Sequence, residues 1–186
     1  PPRSTLFPYT TLFRSPQYLD MIRLVMGRMG VQWEVEGEDV IIPPNQNLQI
    51  EPDLGGVIPE ISVMPWPAFP TDLMSIAIVT ATQSKGTILF HDWMYPSRMF
   101  FTDKLVSMGA QIVLCDPHRC IVQGPTQLYG EKMESPDIRA GMALLLASLS
   151  ASGPSVIRNV SQIDRGYEKV DEKLLALGAH IERVKD

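Results

Sequence analysis

Met133-Glu134-Ser135-Pro136-Asp137-Ile138-Arg139-Ala140-Gly141 opens the strongest helix pattern in the chain. Ser135 suits the N-cap, Pro136 suits the first helical position, and Asp137 falls in the first turn, where the helix dipole favours a carboxylate. The residues predicted to form the buried face are Ile138, Met142, Leu145, Leu146 and Leu149. Arg139 is unusual because a cation in the first turn opposes the dipole. We therefore expect Arg139 to bind an anion, either Asp137 or a ligand.

The composition is that of a globular protein. The chain has 186 residues, of which 45% are hydrophobic and 20% charged, so it can bury a sizeable core. Its net charge of -5, from 16 basic and 21 acidic side chains, argues against nucleic acid or an anionic membrane as the main partner. No apolar run is long enough to span a bilayer, and two cysteines do not make a disulfide framework. We therefore expect a cytoplasmic protein.

Residues 1–15 do not look like the start of a domain. Arg3-Ser4-Thr5-Leu6-Phe7 is nearly mirrored by Thr11-Leu12-Phe13-Arg14-Ser15, and the segment lacks the apolar stretch of a signal peptide. We interpret these residues as a non-native or disordered tail that does not contribute to the fold.

The histidines and cysteines do not form a metal-binding pattern. The residues in question are His91, His118, His180, Cys115 and Cys120. Their spacing fits no zinc motif well, so we predict neither a metal nor another cofactor. Both cysteines flank a predicted turn between strands and are interpreted as plain structural thiols.

An internal repeat divides the sequence. Arg28-Met29-Gly30, Ser107-Met108-Gly109 and Ala176-Leu177-Gly178 share one pattern, in which a glycine ends a helix, at intervals of about 70 to 80 residues. This period is too long for a solenoid turn and indicates a duplicated α/β unit. We assign a partial unit to 16–63, whose front half has no match, and units to 64–134 and 135–186. Units that each bury one helix face predict an α/β fold with helices in the core and sheets outside.

Local patterns predict the elements of each unit. Helices are expected at 17–29, from Leu73 onward, through 105–108, at 138–149 and at 167–177, the last with Tyr167, Val170, Leu174 and Leu177 inward. Strands are expected at 31–35, 39–42, 48–50, 87–90, 111–114, 120–123, 155–160 and 180–184. Loops are expected at 93–98 and 161–166. Three prolines between 65 and 70 fix the path into the second helix, which places Asp72 reproducibly at its start.

Several ordered motifs resemble the enolpyruvyl transferase family. They are Pro67-Ala68-Phe69-Pro70-Thr71-Asp72-Leu73, the isolated Arg98, Asp137-Ile138-Arg139-Ala140, and Ile163-Asp164-Arg165-Gly166-Tyr167-Glu168-Lys169. Together with the first glycine motif they extend from about Pro16 to the C-terminus. The resemblance implies most of the C-terminal lobe of a two-lobed enzyme, each lobe being an inside-out α/β barrel. It also implies a missing N-terminal lobe that supplies further cationic contacts and a loop cysteine.

The resemblance implies a specific reaction. The enolpyruvyl group of phosphoenolpyruvate would be transferred to the 3'-hydroxyl of UDP-N-acetylglucosamine, by addition and then loss of phosphate, in peptidoglycan precursor synthesis. Asp72 matches the aspartate that the family places against this hydroxyl, where it would act as base. Arg98 and Arg139 would face the carboxylate of phosphoenolpyruvate and Arg165 its phosphate, since a guanidinium presents a planar fork of donors to such anions. Asp137 would orient Arg139.

The loop at 93–98 would contact the nucleotide sugar. By the resemblance, Met94 and Tyr95 lie at this contact, part of which is made by backbone atoms. Pro96-Ser97 replaces the acidic residue and asparagine commoner in the family, which changes the local hydrogen bonding without removing Arg98. Asp164 would either orient Arg165 or cap the following turn. A single lobe is expected to be inactive alone.

Simpler interpretations and other functions stay open. Asp72 could be only a dipole-stabilising acid at a helix start, and each arginine could be a surface ion-pair residue. Within the family, the rival function is enolpyruvyl transfer to shikimate 3-phosphate. That enzyme normally has a lysine where Arg165 stands. A rival of another class is a non-catalytic binding or assembly module on the same scaffold.

Overall fold

The computed structural model describes residues 19–184, so the prediction for the tail at 1–15 lies outside the described residues. The helices are α1 (Asp20–Gly27), α2 (Met74–Gln83), α3 (Thr102–Ser107), α4 (Ile138–Ser150), α5 (Ser161–Asp164) and α6 (Val170–Ala176). The strands are β1 (Glu34–Glu36), β2 (Asp39–Ile41), β3 (Glu60–Ser62), β4 (Gly86–His91), β5 (Gln111–Asp116), β6 (Arg119–Gly124), β7 (Lys132–Glu134) and β8 (Val156–Arg158). Short 3₁₀ turns occur at Leu54–Gly56 and Thr71–Leu73.

The strands form three sheets. In the largest the order is β3-β4-β6-β5, with β3 parallel to β4 and the other neighbours antiparallel. β1 and β2 form a separate antiparallel ladder, and β7 pairs with β8 in parallel. A helix connects each parallel pair, α2 between β3 and β4 and α4 between β7 and β8. The same strand-helix-strand unit therefore occurs twice, whereas the division of the chain at 16–63, 64–134 and 135–186 stays a prediction.

The two connecting helices lie at the centre of the molecule. α2 and α4 contact each other, and α2 also contacts β4 and β6 of the large sheet. Residues of both helices are fully buried, including Ala77, Ile78, Ala143 and Leu144. Each large apolar side chain buried in this way contributes roughly 1.5–3 kcal/mol to folding. The predicted α/β fold with helices in the core and sheets outside is confirmed.

The start and the buried face of α4 differ from the sequence prediction. Asp137, not Ser135, is the N-cap: its backbone is extended, and its Oδ1 accepts hydrogen bonds from the backbone N–H of Arg139 at 2.7 Å and of Ala140 at 3.0 Å. Ser135 is buried, and its hydroxyl donates to the carbonyl of Asp137. The most buried side of α4 carries small residues and Leu144, whereas Leu149 is 42% exposed. A helix packed on several sides does not follow a one-sided amphipathic pattern.

Other elements were shifted or missed. The strand predicted at 31–35 occupies Glu34–Glu36, and 48–50 contributes only an isolated bridge from Gln49 to Lys85. β3 and β7, of three residues each, were not predicted. The predicted loop at 161–166 contains helix α5.

The C-terminal prediction is wrong in two respects. The segment at 180–184 forms no strand, and no described strand lies alongside it to complete a ladder. Leu177, expected to face inward, is 84% exposed, whereas Val170 and Leu174 are buried as predicted. α6 ends at Ala176, so Leu177 lies beyond the helix face that packs against Ile163.

No helix within residues 19–184 combines the length and the apolar character needed to cross a membrane.

Candidate functional site

Asp72 lies at the junction between an extended entry segment and α2. Pro70 has an extended backbone and precedes the 3₁₀ turn Thr71–Leu73, which continues directly into the helix. The Asp72 side chain is 59% exposed, so its carboxylate faces outward from the helix start. The prolines thus place an accessible acid at a rigid position, as the sequence predicted.

Two arginines from distant parts of the chain meet the Asp72 carboxylate. The Nε of Arg139, in the first turn of α4, donates a hydrogen bond to Asp72 Oδ1. Nη1 of Arg98 lies 3.8 Å from the same oxygen. The side chains of Arg98 and Arg139 are 22% and 35% exposed, so both are partly shielded while still reachable by a ligand.

The contacts of Arg139 explain why a cation is tolerated in a first helical turn. The hydrogen bond that Arg139 donates to Asp72 is the main reason that the pKa of Arg139 is raised above its usual value. Asp137 contacts the backbone N–H of Arg139, and Asp72 rather than Asp137 holds its guanidinium. The prediction that Asp137 orients Arg139 is therefore corrected: Asp137 fixes the helix start, and Asp72 orients the side chain.

Arg98 is positioned by the loop between β4 and α3. Its guanidinium carbon lies 4.6 Å from the centroid of the Tyr95 ring, a cation–π contact within the loop. Ser97 has a positive φ of 72°, and its carbonyl accepts a hydrogen bond from the N–H of Phe100 at 3.2 Å. Pro96-Ser97 therefore forms a tight turn that still delivers Arg98 to Asp72.

The two arginines border one small cleft of about 10 Å³ beside Asp72, here called the Asp72 cleft. Its lining residues are Thr71, Met74, Ser75, Asp92, Arg98, Phe101, Asp137, Arg139 and Ala140. Larger hollows of about 470 Å³ and 460 Å³ lie beside α1 and beside α6. The Asp72 cleft is the better candidate site because residues separated by 26 to 67 positions in the chain bring opposite charges together there.

Arg165 lies apart from this charge cluster. Its guanidinium is exposed and donates to Oε1 of Gln162 at 3.2 Å, and the ion pairs of Asp72 in the described chain do not include it. The next residue, Gly166, is pressed against Ile138, so closely that a β-carbon there would overlap Cδ1 of that side chain. The segment that carries Arg165 therefore packs against the first turn of α4, one residue before Arg139.

Tyr167 was missed as a neighbour of the site. The pKa of its phenol is raised, mainly by burial. The positive charge of Arg139 lowers this pKa and the negative charge of Asp72 raises it, so Tyr167 lies close enough to feel both groups. From the sequence, Tyr167 was predicted to face inward on a helix and was given no role in the site. Its place two residues after Arg165 in the same motif was the available signal.

Met94 and the buried Asp92 organise the loop near the cleft. Met94 is partly buried against the core, and its backbone N–H donates to Oδ1 of Asp92 at 3.1 Å. The carboxylate of Asp92 also accepts a hydrogen bond from the Thr71 hydroxyl. Neither Asp92 nor Thr71 was singled out from the sequence, because no local pattern reveals a bond between residues 21 positions apart.

Asp164 contacts Arg183 and not Arg165, the first of the two partners predicted for it. Both of its oxygens accept hydrogen bonds from Arg183, at 2.8 Å and 2.9 Å, and Arg183 also binds Asp171. These hydrogen bonds are the main cause that lowers the pKa of each aspartate. Arg183 therefore joins α5, α6 and the C-terminal segment at the surface.

The cysteines differ in their surroundings. Cys115 is exposed and Cys120 is buried, and burial raises the pKa of the Cys120 thiol to about 12. Within residues 19–184, no three His, Cys, Asp or Glu side chains are grouped so that they could hold a metal ion.

Comparison with known proteins gives a consistent result. Residues 11–174 match the family described as EPSP synthase (3-phosphoshikimate 1-carboxyvinyltransferase). The chain is 58% identical over 170 residues to a UDP-N-acetylglucosamine 1-carboxyvinyltransferase of Bradyrhizobium diazoefficiens, and 55% identical over 170 residues to one of Borrelia garinii. Each alignment includes 91% of this chain but only 39% and 40% of the relative, so the chain spans about two fifths of their length.

A solved structure shares the fold. The enolpyruvyl transferase NikO from Streptomyces tendae superposes with a TM-score of 0.77 and 25% sequence identity. The match covers 89% of this chain and 36% of that protein. The similarity thus extends over nearly all of this chain and about a third of the larger molecule.

Proposed function

The chain belongs to the enolpyruvyl transferase family described as EPSP synthase (3-phosphoshikimate 1-carboxyvinyltransferase), and on that premise we propose a function for its cleft. The chain supplies the acid–base group and part of the anion site for transfer of the enolpyruvyl group from phosphoenolpyruvate to the 3'-hydroxyl of UDP-N-acetylglucosamine. A second lobe completes the active site. The observation that carries the proposal is the convergence of Arg98 and Arg139 on the exposed carboxylate of Asp72.

Asp72 acts as the base in this proposal. A sugar hydroxyl is a poor nucleophile until its proton is removed, and an exposed carboxylate fixed at a helix start can accept that proton when the site closes. In the structure the carboxylate is held by Arg139. A substrate carboxylate that takes over Arg139 releases Asp72 toward the hydroxyl, so binding of one substrate prepares the base for the other.

Arg98 and Arg139 bind the carboxylate of phosphoenolpyruvate. Both line the cleft and contact the exposed carboxylate of Asp72, so an anionic ligand that displaces this carboxylate finds two guanidinium groups to bind. Arg165, exposed on the segment that packs against the first turn of α4, binds the phosphate. Met94 contacts the nucleotide sugar from the loop that also holds Arg98, through its carbonyl or side chain, because its N–H is donated to Asp92.

The proposal includes a place in peptidoglycan precursor synthesis and a cytoplasmic location. The location is supported by the two unpaired cysteines, since disulfides are rare in the cytosol. No cofactor is assigned a step, because the proton transfer and anion binding use only side chains of the protein.

A chimera tests the function. The matched part of the Bradyrhizobium diazoefficiens relative is replaced by this chain, and phosphate release from phosphoenolpyruvate is measured with UDP-N-acetylglucosamine as acceptor. The chimera is expected to turn over, and Asp72→Asn is expected to lower kcat by about 10²- to 10⁴-fold, the usual contribution of a general base. Asp103→Asn is the matched control, since Asp103 is also an exposed acid in a first helical turn.

Each rival has its own outcome. Turnover with shikimate 3-phosphate but not with the nucleotide sugar would assign the chain to the function named by the family description. A folded chimera that releases no phosphate with either acceptor would favour a binding module. Equal kcat for Asp72→Asn and Asp103→Asn would leave Asp72 as a helix-start acid only.

A further inference from the structure

Asp92 is a buried carboxylate that joins two parts of the Asp72 cleft. Its side chain is fully buried at the end of β4. One oxygen accepts the hydrogen bond from the Thr71 hydroxyl, and the other accepts from the backbone N–H of Met94 at 3.1 Å and of Tyr95 at 3.2 Å. A buried charge is costly without hydrogen-bond donors, and here three donors satisfy it.

The backbone of Asp92 is fixed as well. Its N–H donates to the carbonyl of His118 at 2.8 Å, and its carbonyl lies 2.7 Å from Nδ1 of the same histidine. The turn between β5 and β6 thus holds Asp92 from the side opposite the cleft. The carboxylate has little freedom to move, so the segments bonded to it are held in one arrangement.

Both segments carry residues of the proposed site. Thr71 directly precedes Asp72, and Met94 and Tyr95 begin the loop that ends at Arg98. The exposed contact between Asp72 and Arg98 spans 3.8 Å and is too weak to set their separation by itself. The buried bonds of Asp92 lie behind this contact and join the same two segments.

We propose that Asp92, through Thr71, is a positioning residue that sets the distance between the base Asp72 and the loop bearing Arg98 and Met94. The inference rests on the proposed function and adds a residue that touches no substrate. Misplacing a catalytic group by about 1 Å can cost on the order of 10²-fold in rate, so a bond that prevents such movement affects turnover without contacting the reactants.

The test removes the Thr71 hydroxyl and keeps its shape. In the chimera, Thr71→Val is expected to lower kcat about tenfold while KM for each substrate changes less, and Thr71→Ser is expected to restore most of the loss because it retains the hydroxyl. Thr82→Val is the matched control. Thr82 is fully buried at the other end of α2, and its hydroxyl donates to the carbonyl of Val79 at 2.7 Å.

A second measurement does not depend on activity. In the 186-residue chain, Thr71→Val and Asp92→Ala are expected to speed amide hydrogen exchange of Leu73, whose N–H closes the turn onto Pro70 at 3.1 Å. Asp92→Ala is also expected to speed exchange of Met94 and Tyr95, whereas Thr82→Val changes none of these amides.

The outcomes separate the two proposals. An inactive wild-type chimera would contradict the proposed function, and hydrogen exchange would still decide whether Asp92 fixes the two segments. An active chimera in which Thr71→Val and Thr82→Val lower kcat equally, or unchanged exchange at Leu73 in both site variants, would overturn the role of Asp92.

Discussion

Replacing Asp72 by asparagine is expected to tighten phosphoenolpyruvate binding while it slows turnover. The carboxylate of Asp72 is bonded to Arg139 and lies 3.8 Å from Arg98, so it competes with an incoming carboxylate for the same donors. Asparagine retains an oxygen that can accept from Arg139 but removes the competing charge. The two effects have opposite signs, which a general loss of structure would not produce.

The size of the effect follows from exposure. The side chain of Asp72 is 59% exposed and that of Arg139 is 35% exposed, so solvent screens the pair and it is worth roughly 0.2–1 kcal/mol. Releasing Arg139 from this pair therefore tightens anion binding by at most about fivefold. Because screening grows with ionic strength, the difference between the proteins is expected to shrink as salt is added.

Calorimetry on the chimera gives the affinity, and phosphate release gives kcat. The expected result for Asp72→Asn is an unchanged or up to about fivefold lower Kd for phosphoenolpyruvate together with the large loss of turnover described above. Asp103→Asn should change neither quantity. Markedly weaker binding by Asp72→Asn would refute the reasoning, since it would mean that the Asp72 charge supports the arginines instead of competing for them.

Three further predictions concern stability and reactivity. Gly141→Ala is expected to destabilise the chain by about 1–3 kcal/mol in urea unfolding, because the new methyl group would overlap the Ser135 hydroxyl and lie 2.8 Å from Cγ1 of Ile163. Gly27 is the control, since a methyl group there would meet no atom within 4 Å. Gly27→Ala is expected to stabilise α1 by up to about 1 kcal/mol. Thiol labelling at pH 8 is expected to modify the exposed Cys115 in the folded chain and to modify Cys120, whose pKa is raised to about 12, only after the chain unfolds. Equal labelling rates for the two thiols in the folded chain would contradict the burial of Cys120. Arg183 lowers the pKa of Asp164 and Asp171 below their usual 3.8. The stability that these ion pairs provide is therefore complete above that value and is lost as the pH falls through the lowered pKa values. Arg183→Gln is expected to flatten the decline of the unfolding free energy at acid pH, and an unchanged slope of unfolding free energy against pH would argue against the ion pairs.

The sequence was most informative where local chemistry fixes the backbone. Prolines before Asp72 predicted its position at a helix start, and the strong helix pattern after Asp137 predicted the element that carries Arg139. Both are properties of a few adjacent residues. The choice of Asp137 over Ser135 as N-cap was not decided locally, because Ser135 is drawn into the interior, where it packs against Gly141.

Contacts between distant segments could not be predicted from local patterns. The bond from Thr71 to Asp92 and the two aspartates held by Arg183 join residues that only the folded chain brings together. Short strands such as β3 and β7 gain their stability from a parallel neighbour across a connecting helix and not from their own three residues. The same limitation explains why Arg139 was matched with Asp137 instead of Asp72.

The central claim is that Asp72 faces the reacting hydroxyl once Arg139 is taken over by substrate. A crystal structure of the chimera with UDP-N-acetylglucosamine and phosphoenolpyruvate would measure this directly. We expect an oxygen of Asp72 within about 2.6–3.2 Å of the 3'-hydroxyl, with Arg98 and Arg139 on the carboxylate of phosphoenolpyruvate. An Asp72 that stays bonded to Arg139 while the hydroxyl contacts a different group would contradict the account.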